Sequence, residues 1–316
     1  MIKTNDNLQL DAAINRPGRR TLEFDIPGFN IGTADYVDAE TGCTVFHFEK
    51  RAKMVADCRG GAIGAIGTHY PLVDSICFAG GSAYGQEAIL GAGAELHKRA
   101  NYSTDWQDIA LAAGAIIYDY RYRDNAVYPD KALGRAAIAN AQPGRFEMGQ
   151  VGAGFAASAG KCLWEKGYEG ERTGQGAAFL QVGNVKVFFA VVLNPFGAIL
   201  DRQGEVVRGN LHPTTGHRIK LSDAVEDAAN PQRGNTTVSL LVTNQKIERD
   251  MLKQVANQIH ASMARAIDPF HTIFDGDVLF AVTTDEIEAP QLPPHALGAI
   301  GSDLAWDAIL AAADAE

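Results

Sequence analysis

Arg233-Gly234-Asn235-Thr236-Thr237, running straight into the apolar VSLLV of residues 238–242, is the stretch on which the reading of this chain turns. A small, flexible Gly-Asn pair precedes a hydroxyl residue that opens a strand. That order suits self-cleavage. The Thr236 hydroxyl attacks the Asn235 carbonyl, the acyl group shifts from N to O, and water releases the ester. The new chain then begins at Thr236, so that one residue supplies both the attacking oxygen and a neighbouring amine. An α-amine has an ordinary pKa of about 7.7–8.0, so a large fraction is neutral and able to take a proton near pH 7. The same residues also suit a plain Gly-Asn turn before a buried strand, and the rest of the chain has to decide between the two.

Downstream the pattern is clear. TVSLLVTN (237–244) reads as a strand. KIERDMLKQVANQIHASMARAI (246–267) spaces Ile247, Met251, Val255, Ile259 and Met263 four apart, as in an amphipathic helix. DVLFAVTT (277–284) reads as a second strand. A strand–helix–strand unit makes its strands parallel, with a right-handed crossover. Parallel strands start at the same sheet edge, so Asp275 and Asp277 are expected beside Thr236 if the strands are neighbours. Taken alone, Asp275-Gly276-Asp277 is equally a solvated turn. Residues 210–235 are polar and turn-rich and read as an exposed connection, a place where new chain ends are tolerated.

Upstream, 86–99 reads as a helix with a small-residue face, 111–122 as a buried strand or helix, and VKVFFAVVLN (185–194) as a strand. Asn194, at the end of that strand before Pro195, is placed to donate to a developing oxyanion, or simply to make an Asn-Pro turn. Lys161 closes a Gly/Ala-rich stretch. Small apolar surroundings would desolvate it and lower its pKa; an exposed position would leave it ordinary. GFAASAGKC (154–162) fails as a phosphate loop, having five residues between Gly154 and Gly160 and Cys162 where a hydroxyl is needed. The Gly152-x-Gly154 run lacks a convincing preceding strand for a dinucleotide fingerprint.

Composition narrows the field. The 316 residues carry 38 Asp+Glu against 28 Lys+Arg, a net charge of −10, which disfavours nucleic acid and anionic membranes. No apolar run approaches the ~20 residues of a spanning helix, and the N-terminus lacks a signal-peptide core, so a cytoplasmic location is expected. The cysteines (Cys43, Cys58, Cys77, Cys162) show no metal or redox spacing and read as small core residues. No metal site is expected.

Taken together, the strings ICFAGGSAYGQEA, AVYPDKALGRAA, GAGFAASAGK, TGQGAAF, NPFGAILDRQGEVVRGN, GNTTVSLLVTN and PFHTIFDGDVLFAVTTDEI resemble the N-terminal-nucleophile hydrolases that include the DmpA-type aminopeptidases and the 6-aminohexanoate-oligomer endohydrolases, and the second branch more closely. The likeness runs from residue 22 to the C-terminal ALGAIGSDLAWDAIL; it departs in extra residues within KCLWEKGYEGERTG (161–174). The resemblance implies an α/β fold, a four-layer αββα sandwich of the DmpA/ornithine acetyltransferase type. It implies one hydrolase domain, cut between Asn235 and Thr236 into a large chain 1–235 and a small chain 236–316, and a tetramer of such pairs. It implies Thr236 as nucleophile, Lys161 as active-site lysine, Asn194 as oxyanion donor, Asp275 and Asp277 as the acids near the nucleophile amine, and Tyr118 as a substrate-lining residue. No cofactor is needed, and the substrate would be a linear amide. An aminopeptidase, an acyltransferase, and an uncut binding or scaffold protein are the alternatives.

Overall fold

The strand Thr41–Cys58 organises the molecule. It is 18 residues long, about three times the usual strand, because it belongs to two layers at once. In the computed structural model, which describes residues 2–227, 234–288 and 291–314, the main strands are β1 (Phe29–Tyr36), β2 (Thr41–Cys58), β3 (Leu72–Ala79), β4 (Ala112–Ile116), β5 (Gln175–Val182), β6 (Val185–Asn194), β7 (Thr236–Gln245) and β8 (Val278–Ile287). The helices are α1 (Gln86–Arg99), α2 (Lys131–Ala139), α3 (Arg249–Ser262) and α4 (Pro294–Ala313). The first half of β2 pairs with β1 and β3, and its second half with β8. Between them the register against β3 shifts from His47 to Ala52, and Glu49, Lys50 and Arg51 are exposed. An irregularity of this kind bends a strand. Here it folds a continuous sheet, in the order β5-β6-β7-β8-β2-β3-β4, back over itself.

Alternation along each strand then sorts the side chains. Phe29, Phe46 and Phe78 from one layer meet Phe188, Leu240 and Phe280 from the other in a shared core. Ring centroids bridge the layers at 5.3 Å (Phe29–Phe188) and 6.2 Å (Phe78–Phe280). The opposite parity faces outward. Val187, Phe189, Leu241 and Leu279 pack under α3 and α4, while Cys43, Val45, Cys77 and Ala79 pack under α1 and α2. The result is the expected four-layer αββα sandwich. β7 and β8 are parallel neighbours joined by α3, with Val238 opposite Val278.

Several local expectations are corrected. α3 begins at Arg249 and ends at Ser262, shorter than 246–267, and its buried stripe is Leu252, Val255, Ala256 and Ile259, with His260 beside them. Ile247 therefore precedes the helix and Met251 is exposed, because a strict four-residue step drifts off the face. Cys58 is exposed, whereas Cys43, Cys77 and Cys162 are buried. A short strand, Arg145–Met148, does precede Gly152, but a 3-10 turn rather than a long helix follows it. By length and composition α4 is apolar enough to cross a membrane. In the fold it packs on β5, β6 and α3. Within the 210–235 connection Asn210 is buried, and Arg233, with residues 228–232, lies outside the described residues.

Candidate active site

The site forms where β6 ends and β7 begins. The antiparallel register of these strands sets Asn194, the last residue of β6, directly opposite Thr236, the first of β7. Both continue the parity of Val192 and Val238, so they stand on the face between the two layers. Both are buried.

Asn194 is held at each end of its carboxamide. Its Oδ1 accepts from the Lys161 amine at 2.9 Å and from the Ser158 N–H at 3.1 Å. Its Nδ2 donates to the carbonyls of Tyr118 at 3.2 Å and Gly234 at 3.4 Å. Donors on one side and acceptors on the other fix the amide orientation. Lys161 also donates to the Asn194 carbonyl at 3.1 Å. It is buried, not at the surface. Burial pushes its ammonium down to about 7, against the opposing charge of Asp275 and with help from Arg121. A neutral amine has two hydrogens, enough for the two Asn194 oxygens, and one lone pair left to accept a proton.

The Asp275-Gly276-Asp277 turn closes the other side. Asn235 and Asp275 form a parallel bridge, and the Gly276 N–H donates to the Asn235 carbonyl at 2.9 Å. The Thr236 hydroxyl donates to that same carbonyl. Asp275 accepts from the Phe196 N–H at 3.0 Å and from the Thr272 N–H and hydroxyl. Its carboxyl is pushed up to about 6, by burial first and then by the charge of Asp277. Asp277 accepts the N–H of Thr237, one residue beyond Thr236, at 2.7 Å. Tyr118 is partly exposed, and its ring abuts Gly234. Gly234 has φ +104, and an added Cβ would come within 2.7 Å of the Tyr118 ring, so both backbone and space require glycine there.

All six residues named from the sequence, together with Asn235, thus meet in one cluster. Ser158, Phe196, Thr272 and the Gly276 N–H were missed. They act largely through backbone groups or through contacts made by remote segments. The one available signal was the DGD turn itself, whose central glycine permits a close approach to Thr236.

Comparison with known proteins agrees with this architecture. The sequence model described as peptidase family S58 matches residues 24–315. A 6-aminohexanoate-oligomer endohydrolase of Kocuria sp. (strain KY2) is 46% identical, over 95% of this chain and 88% of the relative. Among solved structures, a Burkholderia sp. beta-aminopeptidase superposes with a TM-score of 0.67 at 16% identity, covering 96% of this chain and 89% of that one. The L-aminopeptidase D-Ala-esterase/amidase of Ochrobactrum anthropi, a variant of the N-terminal-nucleophile hydrolase fold, does so with 0.65 at 16% identity, covering 91% and 85%. These two share the fold. The match across nearly the whole chain shows that this protein is an amidase/peptidase enzyme belonging to peptidase family S58.

Proposed function

We propose that the chain cuts itself between Asn235 and Thr236 and then hydrolyses linear amides with Thr236 as an N-terminal nucleophile. The observation that carries this reading is the state of the Asn235 carbonyl. The Thr236 hydroxyl rests on it while the Gly276 N–H, at 2.9 Å, polarises it from another direction. A backbone donor aimed at the oxygen on which charge develops favours the tetrahedral intermediate. Scission yields a large chain 1–235 and a small chain 236–316.

Scission also changes Asn194. In the uncut chain one of its two Nδ2 hydrogens goes to Gly234. Withdrawal of the new 234–235 end frees that donor for the oxyanion of an incoming amide. Thr236 Oγ then attacks the substrate carbonyl, and Lys161 or the new α-amine takes the proton. Asp275 and Asp277 hold the new α-amine and set its protonation, and the charge of Asp275 also acts on Lys161. An amine leaves, and water resolves the acyl-enzyme. The substrate class follows from the relatives named 6-aminohexanoate-oligomer endohydrolases: linear aliphatic amides cut internally, with the Tyr118 ring as an apolar wall.

Intact-mass measurement of fresh protein, with sequencing of the small fragment, tests the first step. The fragment is expected to start at Thr236; an active uncut chain, or full activity of Thr236→Ala, overturns the reading. Hydrolysis of a capped 6-aminohexanoate oligomer against a short aminoacyl amide tests the second. Preference for the aminoacyl amide would make the enzyme an aminopeptidase.

A further inference from the structure

Behind Asp277, on the side away from Thr236, lies a pair of histidines that the proposed reaction does not use. His271 contacts one oxygen of Asp277 twice: its backbone N–H donates to Oδ2 at 3.1 Å, and its ring Nδ1 lies 3.0 Å from the same atom. The other oxygen of Asp277 accepts the Thr237 N–H. His260, on the buried face of α3, repeats the arrangement with Nδ1 at 3.1 Å from Asp57 Oδ2. The two rings meet edge to face with centroids 4.4 Å apart, and Phe270 stacks on His271 at 3.8 Å. Arg59 and Lys253 complete the shell on Asp57, at 2.6 and 3.0 Å.

An ionised carboxylate only accepts hydrogen bonds, so each ring carries its proton on Nδ1. Each Nε2 is buried and has no hydrogen-bond partner among the described residues. Burial lowers the pKa of His260, against the pull of Asp57, so that ring is neutral. Asp57 itself is lowered: burial alone would raise it, but the bonds from His260, Arg59 and Lys253 outweigh that. His271 also sits at φ +58, a left-handed backbone that costs a β-substituted residue energy unless its surroundings enforce it. That backbone aims both the N–H and Nδ1 at a single oxygen.

We propose that His271 is a positioning residue of the active site, clamping the Asp277 carboxylate through Nδ1 and the backbone N–H so that Asp277 in turn fixes the Thr237 amide and the direction in which Thr236 presents its oxygen. His260 packs behind its ring. The inference rests on Thr236 being the nucleophile.

The test compares His271→Asn, His271→Gln and His271→Ala, with kcat and KM expressed per mature site. Asparagine tolerates the left-handed backbone and places Nδ2 near the Nδ1 position; glutamine cannot put its amide there. His271→Asn is expected to keep kcat within about threefold. His271→Gln and His271→Ala are expected to lose about tenfold or more in kcat, the loss of a hydrogen bond to a charged group, with KM within about twofold. Equal losses in Asn and Gln, or full activity in all three, overturn the proposal, and the Asn–Gln pair decides even if the alanine variant does not fold. Thr236→Ala is run alongside. If it is inactive while the His271 variants are unaffected, this inference alone falls; if it is active, the nucleophile assignment falls.

Discussion

Replacing Lys161 by methionine gives the sharpest test of how the site is tuned. In the fold the lysine titrates at about 7, against 10.5 in ordinary surroundings. Between those values the unfolded chain holds a proton that the fold has shed. Stability therefore rises with pH across that window, by up to about 1.36 kcal/mol per pH unit. The penalty for burying the amine is fully present below pH 7 and vanishes above pH 10.5. Evaluated with these two constants, it is about 4 kcal/mol at pH 7 and about 2 kcal/mol at pH 9. Methionine fills similar space and carries no charge, so its stability lacks this component. Both proteins are compared in a Thr236→Ala background, which keeps each as one uncut chain. Urea unfolding at pH 7 and pH 9, followed by tryptophan fluorescence, is expected to show the lysine form gaining about 2 kcal/mol on the methionine form between the two pH values. A difference constant to within about 0.5 kcal/mol would mean that Lys161 keeps its proton through pH 9. It would then have no lone pair to offer, and the base role would be lost.

Two further outcomes follow from the same geometry. A Cβ at Gly276 would lie 2.8 Å from the Thr236 hydroxyl oxygen and 2.7 Å from the Ala62 carbonyl, so Gly276→Ala is expected to slow chain scission by about tenfold or more; scission at the wild-type rate, followed on a denaturing gel, refutes this. Asp275, raised from 3.8 to about 6, keeps a proton in the fold that the unfolded chain loses in that window, so its contribution to stability falls as pH rises. In the uncut background Asp275→Asn is expected to gain about 2 kcal/mol on the parent between pH 4.5 and pH 7.5, read by urea unfolding, and a parallel course of the two proteins would contradict the shift.

What the sequence made legible was local. VKVFFAVVLN matches β6 from end to end, and the helix expected at 86–99 matches α1. β7 starts at Thr236. The strand–helix–strand argument brought Asp275 and Asp277 to the right sheet edge, because crossover handedness and parallel pairing need no knowledge of the remainder of the chain. The hidden parts depend on distant contacts. Nothing in TGCTVFHFEKRAKMVADC announces that its two halves serve different layers; the exposed Glu49, Lys50 and Arg51 mark the bend only once β1, β3 and β8 are in place. Lys161 owes its depressed pKa to burial reached through Gly160 and Phe196, whose backbone bonds tie the 158–161 segment to the end of β6. His271 lies in PFHTIFDGDVLFAVTTDEI, close to Asp277 in sequence, but the His260 ring packed against it comes from α3, and the Asp57 that holds His260 comes from β2.

The direction of Thr236, the proposed nucleophile, is itself a consequence of core packing. Phe188, Ala190 and Val192 of β6 and Val238, Leu240 and Val242 of β7 all face the space between the layers. Strand side chains alternate with a period of two, so a slip of one residue in the β6–β7 register would turn one of these sets out toward α3 and α4. It would also break the pairing of Asn194 with Thr236. Several large side chains would have to leave their core together, each worth about 1.5–3 kcal/mol of burial. Core packing therefore sets Asn194 and Thr236 opposite one another, and the Asp277 contact with the Thr237 N–H is left to adjust only the finer direction of the Thr236 oxygen. The hydrophobic alternation that makes the sandwich also sets which way Thr236 and Asn194 point, and the glycines at 234 and 276 leave room for the chain to pass between them. On this argument a polar substitution at Leu240, far from the site along β7, would disturb Thr236 only by loosening the register, and its effect on scission should scale with its effect on stability. A variant at Gly276 should slow scission by more than its loss of stability accounts for, because its Cβ meets the Thr236 hydroxyl directly.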